Sequence, residues 1–226
     1  GHNYGIALKK AGFRIITCLA DRSERTKALA AKAEFEDVPS LDDLVREADL
    51  VLSIMPPANA VGVAEEIALA MKRTGETPHY VDCNAISPDT SKRASGPVTD
   101  AGANYVDGGI VGPGPGTRER PTSMYVSGPN AAAIEDISGP HIDVINLGPE
   151  IGKASAAKMC YAAITKGSWT LYTTALVAAE AFGVSEQVHT ALKSSRPGIW
   201  DDIEKMLPRL PLDAGRWVGE MEEIAQ

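Results

Sequence analysis

Cysteine is scarce in this chain. Cys18, Cys83 and Cys160 are the only 3, they lie far apart, and none belongs to a C-x-x-C pair. That excludes a disulfide framework and a cysteine zinc site, and suits buried thiols in a reducing compartment. The 4 histidines are scattered and supply no metal-ligand cluster. Positive charge is also in deficit: 22 Lys and Arg stand against 30 Asp and Glu, a formal net charge of −8. With no basic stripe, a nucleic-acid partner is not expected. Long apolar runs are missing too. In the most apolar segment the uncharged gap between Lys166 and Glu180 is 13 residues, short of the ~20 that a bilayer core needs. With no signal peptide visible either, the expected setting is cytoplasmic, away from membranes.

What is present suffices for real cores: 226 residues with 44% hydrophobic content make one large domain or two small ones. The opening Gly1-His-Asn-Tyr-Gly starts a short helix that ends at Gly12. An apolar run from Arg14 to Ala20 follows, and then Asp21-Arg22-Ser23. Helix, glycine, strand and acidic residue form the second half of a βαβ nucleotide-binding unit, with Gly1 as the last glycine of G-x-G-x-x-G. The other reading makes Gly1-His2 an expression remnant before an ordinary helix. On the first reading, the first strand and two leading glycines are missing. The closing helix also stops without a cap, so the chain reads as truncated at both ends.

Strands and helices alternate from Phe13 to about Asn146. Apolar runs at Leu50–Ile54, Tyr80–Asp82, Asn104–Asp107, Met124–Ser127 and His141–Asn146 read as strands. Pro56-Pro57 stops the first of these, and Ser87-Pro88 starts a helix. This alternation implies a doubly wound parallel sheet, of Rossmann-like α/β class, over residues 1–149. The stretch Gly108–Gly116 reads as an ordered loop at a strand end, where open α/β sheets place ligands; a plain surface loop fits it as well. Residues 150–226 read as an all-helical domain. Its long helix, from Lys153 to Phe182, carries apolar residues on every face, which predicts burial all round.

The order of these motifs resembles the β-hydroxyacid dehydrogenases, the family of 3-hydroxyisobutyrate and 6-phosphogluconate dehydrogenases. It is most similar to a poorly characterised branch with a helical C-terminal domain of unknown function. Gly152-Lys-Ala-Ser-Ala-Ala-Lys158 falls where that family has a Gly-rich approach to its catalytic lysine. Asp82–Pro88 is similar to its D-x-S-T-x-x-P loop, and Asp107–Pro113 to its D-A-P-V-S-G-G loop. The resemblance implies hydride transfer between a nicotinamide and a small hydroxylated substrate, with Lys158 as general acid/base. A lysine of ordinary pKa is a poor base at neutral pH, and burial lowers that pKa, so an apolar helix suits the task. The plainer alternative is a lysine whose stem is buried and whose amine reaches water.

Departures from the family pattern matter as much. Ala162 stands where the family has a substrate-holding Asn, and Thr165 or Lys166 is expected to replace that amide. Packing or solvent exposure explains those two residues equally well. Val111-Gly112-Pro113 replaces Ser-Gly-Gly, which weakens a carboxylate clamp and leaves the substrate open. Asn84 and the Gly108, Gly109 and Gly112 loop remain the expected substrate contacts, in a seam between the two domains.

Cofactor signals conflict: Asp21 favours NAD, whereas Arg22-Ser23 falls where NADP enzymes of the family hold the 2′-phosphate. NADP is preferred, with NAD open, and Met55-Pro56 is expected to pass under the dinucleotide. The resemblance also implies a homodimer formed through the helical domain. Two other functions stay open, an imine-type reductase of the same superfamily and a nicotinamide-binding sensor without turnover.

Overall fold

The computed structural model describes residues 1–226, the side chain of residue 216 excepted. Its elements in chain order are α1 (His2–Lys10), β1 (Ile16–Thr17), α2 (Glu24–Lys32), β2 (Glu36–Asp37), α3 (Leu41–Glu47), β3 (Leu50–Ser53) and α4 (Ala60–Thr74). There follow β4 (His79–Asp82), α5 (Pro88–Asp100), β5 (Tyr105–Val111), β6 (Thr122–Ser127), β7 (Ile142–Asn146) and α6 (Lys153–Ala181). Then come α7 (Ser185–Ser195), α8 (Pro197–Met206), α9 (Leu210–Asp213) and α10 (Val218–Ile224). The chain divides into two compact units, Gly1–Met159 with Gln226, and Cys160–Ala225. The boundary falls inside α6, so the first turns of that helix belong with the sheet.

Serine caps set the helix starts. Ser23, Ser40 and Ser87 each accept a hydrogen bond from the backbone N–H three residues on, relieving one of the donors every helix start leaves unpaired. The first unit carries a five-stranded sheet in the order β3-β4-β5-β6-β7 and a separate parallel pair, β1-β2. All neighbours in the larger sheet are parallel except β5 and β6. Side chains alternate across it as strand geometry demands. Val81, Val106, Met124 and Val126 enter one core with Tyr4 and Leu8 of α1, while Tyr80 and Tyr105 enter the other with residues of α4 and α5.

Two expectations are corrected. Gly108 and Gly109 are not loop residues: β5 runs on to Val111, pairing Gly108 with Val126 and Gly109 with Tyr125. The ladder with β6 overrides glycine's poor strand propensity. The long helix is not buried all round either. Tyr161 is 45% exposed, Ile164 70%, Leu171 65% and Phe182 80%. The helices that follow span 11, 10, 4 and 7 residues and leave part of that apolar surface uncovered. No helix among the described residues is long and apolar enough to cross a membrane.

The second core holds an asymmetric pair of carboxylates. Asp82 and Asp107 are register partners on β4 and β5, and each is at most 1% exposed. Asp82 accepts from the Asn84 backbone N–H at 2.9 Å through Oδ1, and its Oδ2 has no partner. Burial, with a smaller push from the Asp107 charge and an opposing pull from the Asn84 N–H, raises its pKa from 3.8 to about 6. A raised acid keeps its proton in the folded state after the unfolded chain has lost it. The Asp82 contribution to folding stability therefore falls as pH rises from about 4 to about 6. Asp82→Asn is expected to be more stable than the parent at pH 7.5, by up to roughly 3 kcal/mol, and equal to it at pH 4. Urea unfolding at both pH values checks this; equal stability at pH 7.5 would refute it.

Candidate functional site

The first turns of α6 sit on β5 where Gly109 offers no side chain. A Cβ on Gly109 would stand 2.6 Å from the Ala154 carbonyl oxygen and 3.0 Å from Lys158 Cβ. On the opposite face, a Cβ on Gly108 would meet the Asp82 carbonyl oxygen at 2.8 Å. Real Cβ atoms do not approach so closely, so glycine is what lets helix and strand meet here. The structure thus brings together Gly108, Gly109 and Lys158, three of the residues singled out from sequence. Lys158 itself is half-buried.

Asp107, two residues before Gly109, anchors the same turn. Its Oδ1 accepts from Ser155 Oγ at 2.5 Å and Ser91 Oγ at 2.9 Å, and its Oδ2 from Ser127 Oγ at 2.9 Å and the Gly152 and Ser155 backbone N–H groups at 3.0 Å. Ser127 Oγ in turn accepts from the Ala154 N–H at 3.0 Å. A carboxylate buried without such donors is strongly disfavoured; here donors on three elements and the preceding loop meet it. The sequence gives no local signal for this cluster. Ser91, Ser127 and Ser155 lie far apart, and although Asp107 and Ser155 fall inside recognised motifs, nothing in either motif announces their pairing.

A second group forms at the ends of β3 and β4. The Asn84 side chain accepts from the Met55 backbone N–H at 2.5 Å and donates to Ser53 Oγ at 3.0 Å. At 2% exposure, Asn84 ties two loops together from within. An Arg22 guanidinium N–H points at Met55 Sδ, 3.9 Å away. Ser23 caps α2, and Asp21 lies exposed in a left-handed turn with φ 58°. Gly1 precedes α1, whose first turn has neither a side-chain cap nor an acidic residue. An uncapped helix start is a set of backbone N–H donors that fits an anionic dinucleotide. Met55 joins the two loops, and Pro56 beside it is exposed.

The remaining expected residues lie apart from these groups or are engaged within the helices. Gly112 lies exposed just past β5 with φ 104°. Thr165 returns its hydroxyl to the Tyr161 carbonyl at 3.0 Å, within its own helix. Lys166 is ion-paired with Glu220, at side-chain exposures of 13% and 14%, and its ammonium lies 5.5 Å from the Trp217 ring centroid. Trp217 also packs on Trp169, with centroids 5.5 Å apart. The partner 54 residues away is what sequence spacing does not reveal.

Comparison with known proteins agrees with this architecture. Residues 179–226 match a domain of unknown function (DUF1932). An uncharacterised 28.5 kDa protein of Methanothermus fervidus is 27% identical over 189 residues, spanning 84% of this chain and 71% of that one. A solved structure of a conserved protein of unknown function, described as similar to 3-hydroxyacid dehydrogenases, superposes with a TM-score of 0.70 at 27% identity, covering 99% of this chain and 83% of that one. The 3-hydroxyisobutyrate dehydrogenase of Salmonella typhimurium shares the fold, with a TM-score of 0.70 at 12% identity over 92% of this chain and 74% of that one. Residues 1–138 match the model for the NAD binding domain of 6-phosphogluconate dehydrogenase, and the chain belongs to that family.

Proposed function

We propose that this protein is an NAD(P)-dependent oxidoreductase acting on a small hydroxylated substrate, a hydroxy acid, with Lys158 as general acid/base. The observation that carries the reading is the seating of Lys158 on the bare glycine face of β5, beside the ends of the central strands where open α/β sheets take their ligands. A bound nicotinamide supplies the hydride acceptor or donor. The Lys158 amine takes the hydroxyl proton as the carbonyl forms, and returns it in the reverse direction. Val111–Gly112, where β5 opens into its loop, contacts the substrate, because Gly108 and Gly109 are engaged with β6 and α6. Asn84 acts indirectly, through its hold on Met55. Lys158→Ala is expected to lower kcat by about 10²–10⁴-fold while cofactor affinity stays unchanged. Hydroxy-acid oxidation in the presence of each cofactor, read as nicotinamide absorbance, checks this.

The preferred cofactor is NADP, held through the α1 start and Arg22. Charge-assisted contacts to a 2′-phosphate are worth about 1.5–3 kcal/mol. Arg22→Ala is therefore expected to weaken NADPH binding by about 10–100-fold and leave NADH binding unaltered, as measured by nicotinamide fluorescence titration. Equal losses for both cofactors would assign Arg22 to the fold instead.

The exposed apolar stripe of α6, carrying Tyr161, Ile164, Leu171 and Phe182, supports a homodimer. These residues recur at spacings of three, seven and eleven, close to whole helical turns, and so share a face. The double variant Ile164→Glu/Leu171→Glu is expected to sediment as a monomer, where the parent sediments as a dimer.

A further inference from the structure

We propose that Asp107 and Gly109 are positioning residues that together set where the Lys158 amine stands; this rests on Lys158 being the acid/base group. They occupy alternate positions of β5 and so lie on one face of the sheet. Each engages a different part of the first two turns of α6. Asp107 fixes Gly152 and Ser155 by bonds of 2.5–3.0 Å. Gly109 leaves the space into which the Ala154 carbonyl and the stem of Lys158 settle. Lys158 lies one turn beyond Ser155 on the same helix face. A helix held at one turn and closely seated at the next is fixed both along the strand and in its height above the sheet. The base of the Lys158 side chain is then fixed with it.

The two residues call for different substitutions. At Gly109, alanine adds a Cβ that meets helix backbone and a side-chain stem, neither of which can swing aside, so α6 must lift. At Asp107, the Oδ1 partners are both hydroxyls, able to turn and accept from an amide, while the Oδ2 partners are donors that a carbonyl oxygen still receives. Asp107→Asn is therefore the conservative variant that keeps the seat. Asp107→Ala removes it and leaves buried donors unpaired. Where that variant does not fold, Ser155→Ala, which deletes the 2.5 Å bond, takes its place.

The experiment is competitive acylation of Lys158 by acetic anhydride across pH, read by mass spectrometry on the full chain. Val98→Ala, in the second core, is the control for general destabilisation. Gly109→Ala and Asp107→Ala (or Ser155→Ala) are expected to shift the midpoint pH of labelling by half a unit or more, or to change its limiting rate at least threefold. Asp107→Asn and Val98→Ala are expected to leave both unchanged. Turnover measured beside it should fall tenfold or more in kcat for Gly109→Ala, with the cofactor KM unaltered. A labelling profile in Gly109→Ala, or in Asp107→Ala (or Ser155→Ala), that matches Val98→Ala would overturn the proposal. Labelling that moves while Lys158→Ala retains turnover would keep the seat and remove the acid/base reading; the converse result would do the reverse.

Discussion

The Asp107 carboxylate is the interaction on which the rest of the first unit turns. Its donors come from α5, from β6, from α6 and from the residue that starts α6. No local rule brings these elements together, since the serines involved stand at 91, 127 and 155. A buried anion carries a large desolvation penalty, and only a complete donor shell offsets it. The penalty thereby becomes a constraint: α5, β6 and α6 must all be in place before Asp107 is satisfied. Part of the shell is the start of α6, where unpaired backbone N–H groups and the helix dipole favour a negative charge.

Asp82 shows the same chemistry with the opposite outcome. It occupies the neighbouring strand at the same level and is equally inaccessible, yet one of its oxygens has no partner. Two like charges side by side in a low-dielectric core are unfavourable. Donors on every side offset the burial of Asp107, whereas burial of the donor-poor Asp82 raises its pKa to about 6. Through Oδ1 Asp82 holds Asn84, and through Asn84 the Met55 loop.

Much of the fold was legible in the sequence because its signals are local. Apolar strand runs, serine starts and glycine stops each depend on a few consecutive residues, and the order of the motifs then points to the family. Non-local pairing accounts for most of what was not legible. Gly108 and Gly109 have strong turn propensity, and only β6, reached after a ten-residue connection from 112 to 121, makes them strand residues. Lys166 reads as available from its own helix, yet Glu220, 54 residues on, is ion-paired with it. The exposed face of α6 had the opposite cause. Apolar composition points to burial, but composition does not say whether anything within the chain covers a face. Motif resemblance singles out Lys158 and the two glycines from the sequence, and the structure places them side by side, whereas the pairing of the serines with Asp107 has no local signal.

The bare stretch of β5 also limits where this scaffold can change. At two consecutive residues, one on each face of the strand, even a methyl group would collide with main-chain atoms. Those positions are closed to substitution whatever ligand the protein meets. Past the end of the strand, a Cβ at Gly112 would have no neighbour within 4 Å. Room for new side chains on this stretch therefore begins only after β5, while the glycines behind it are held by packing alone.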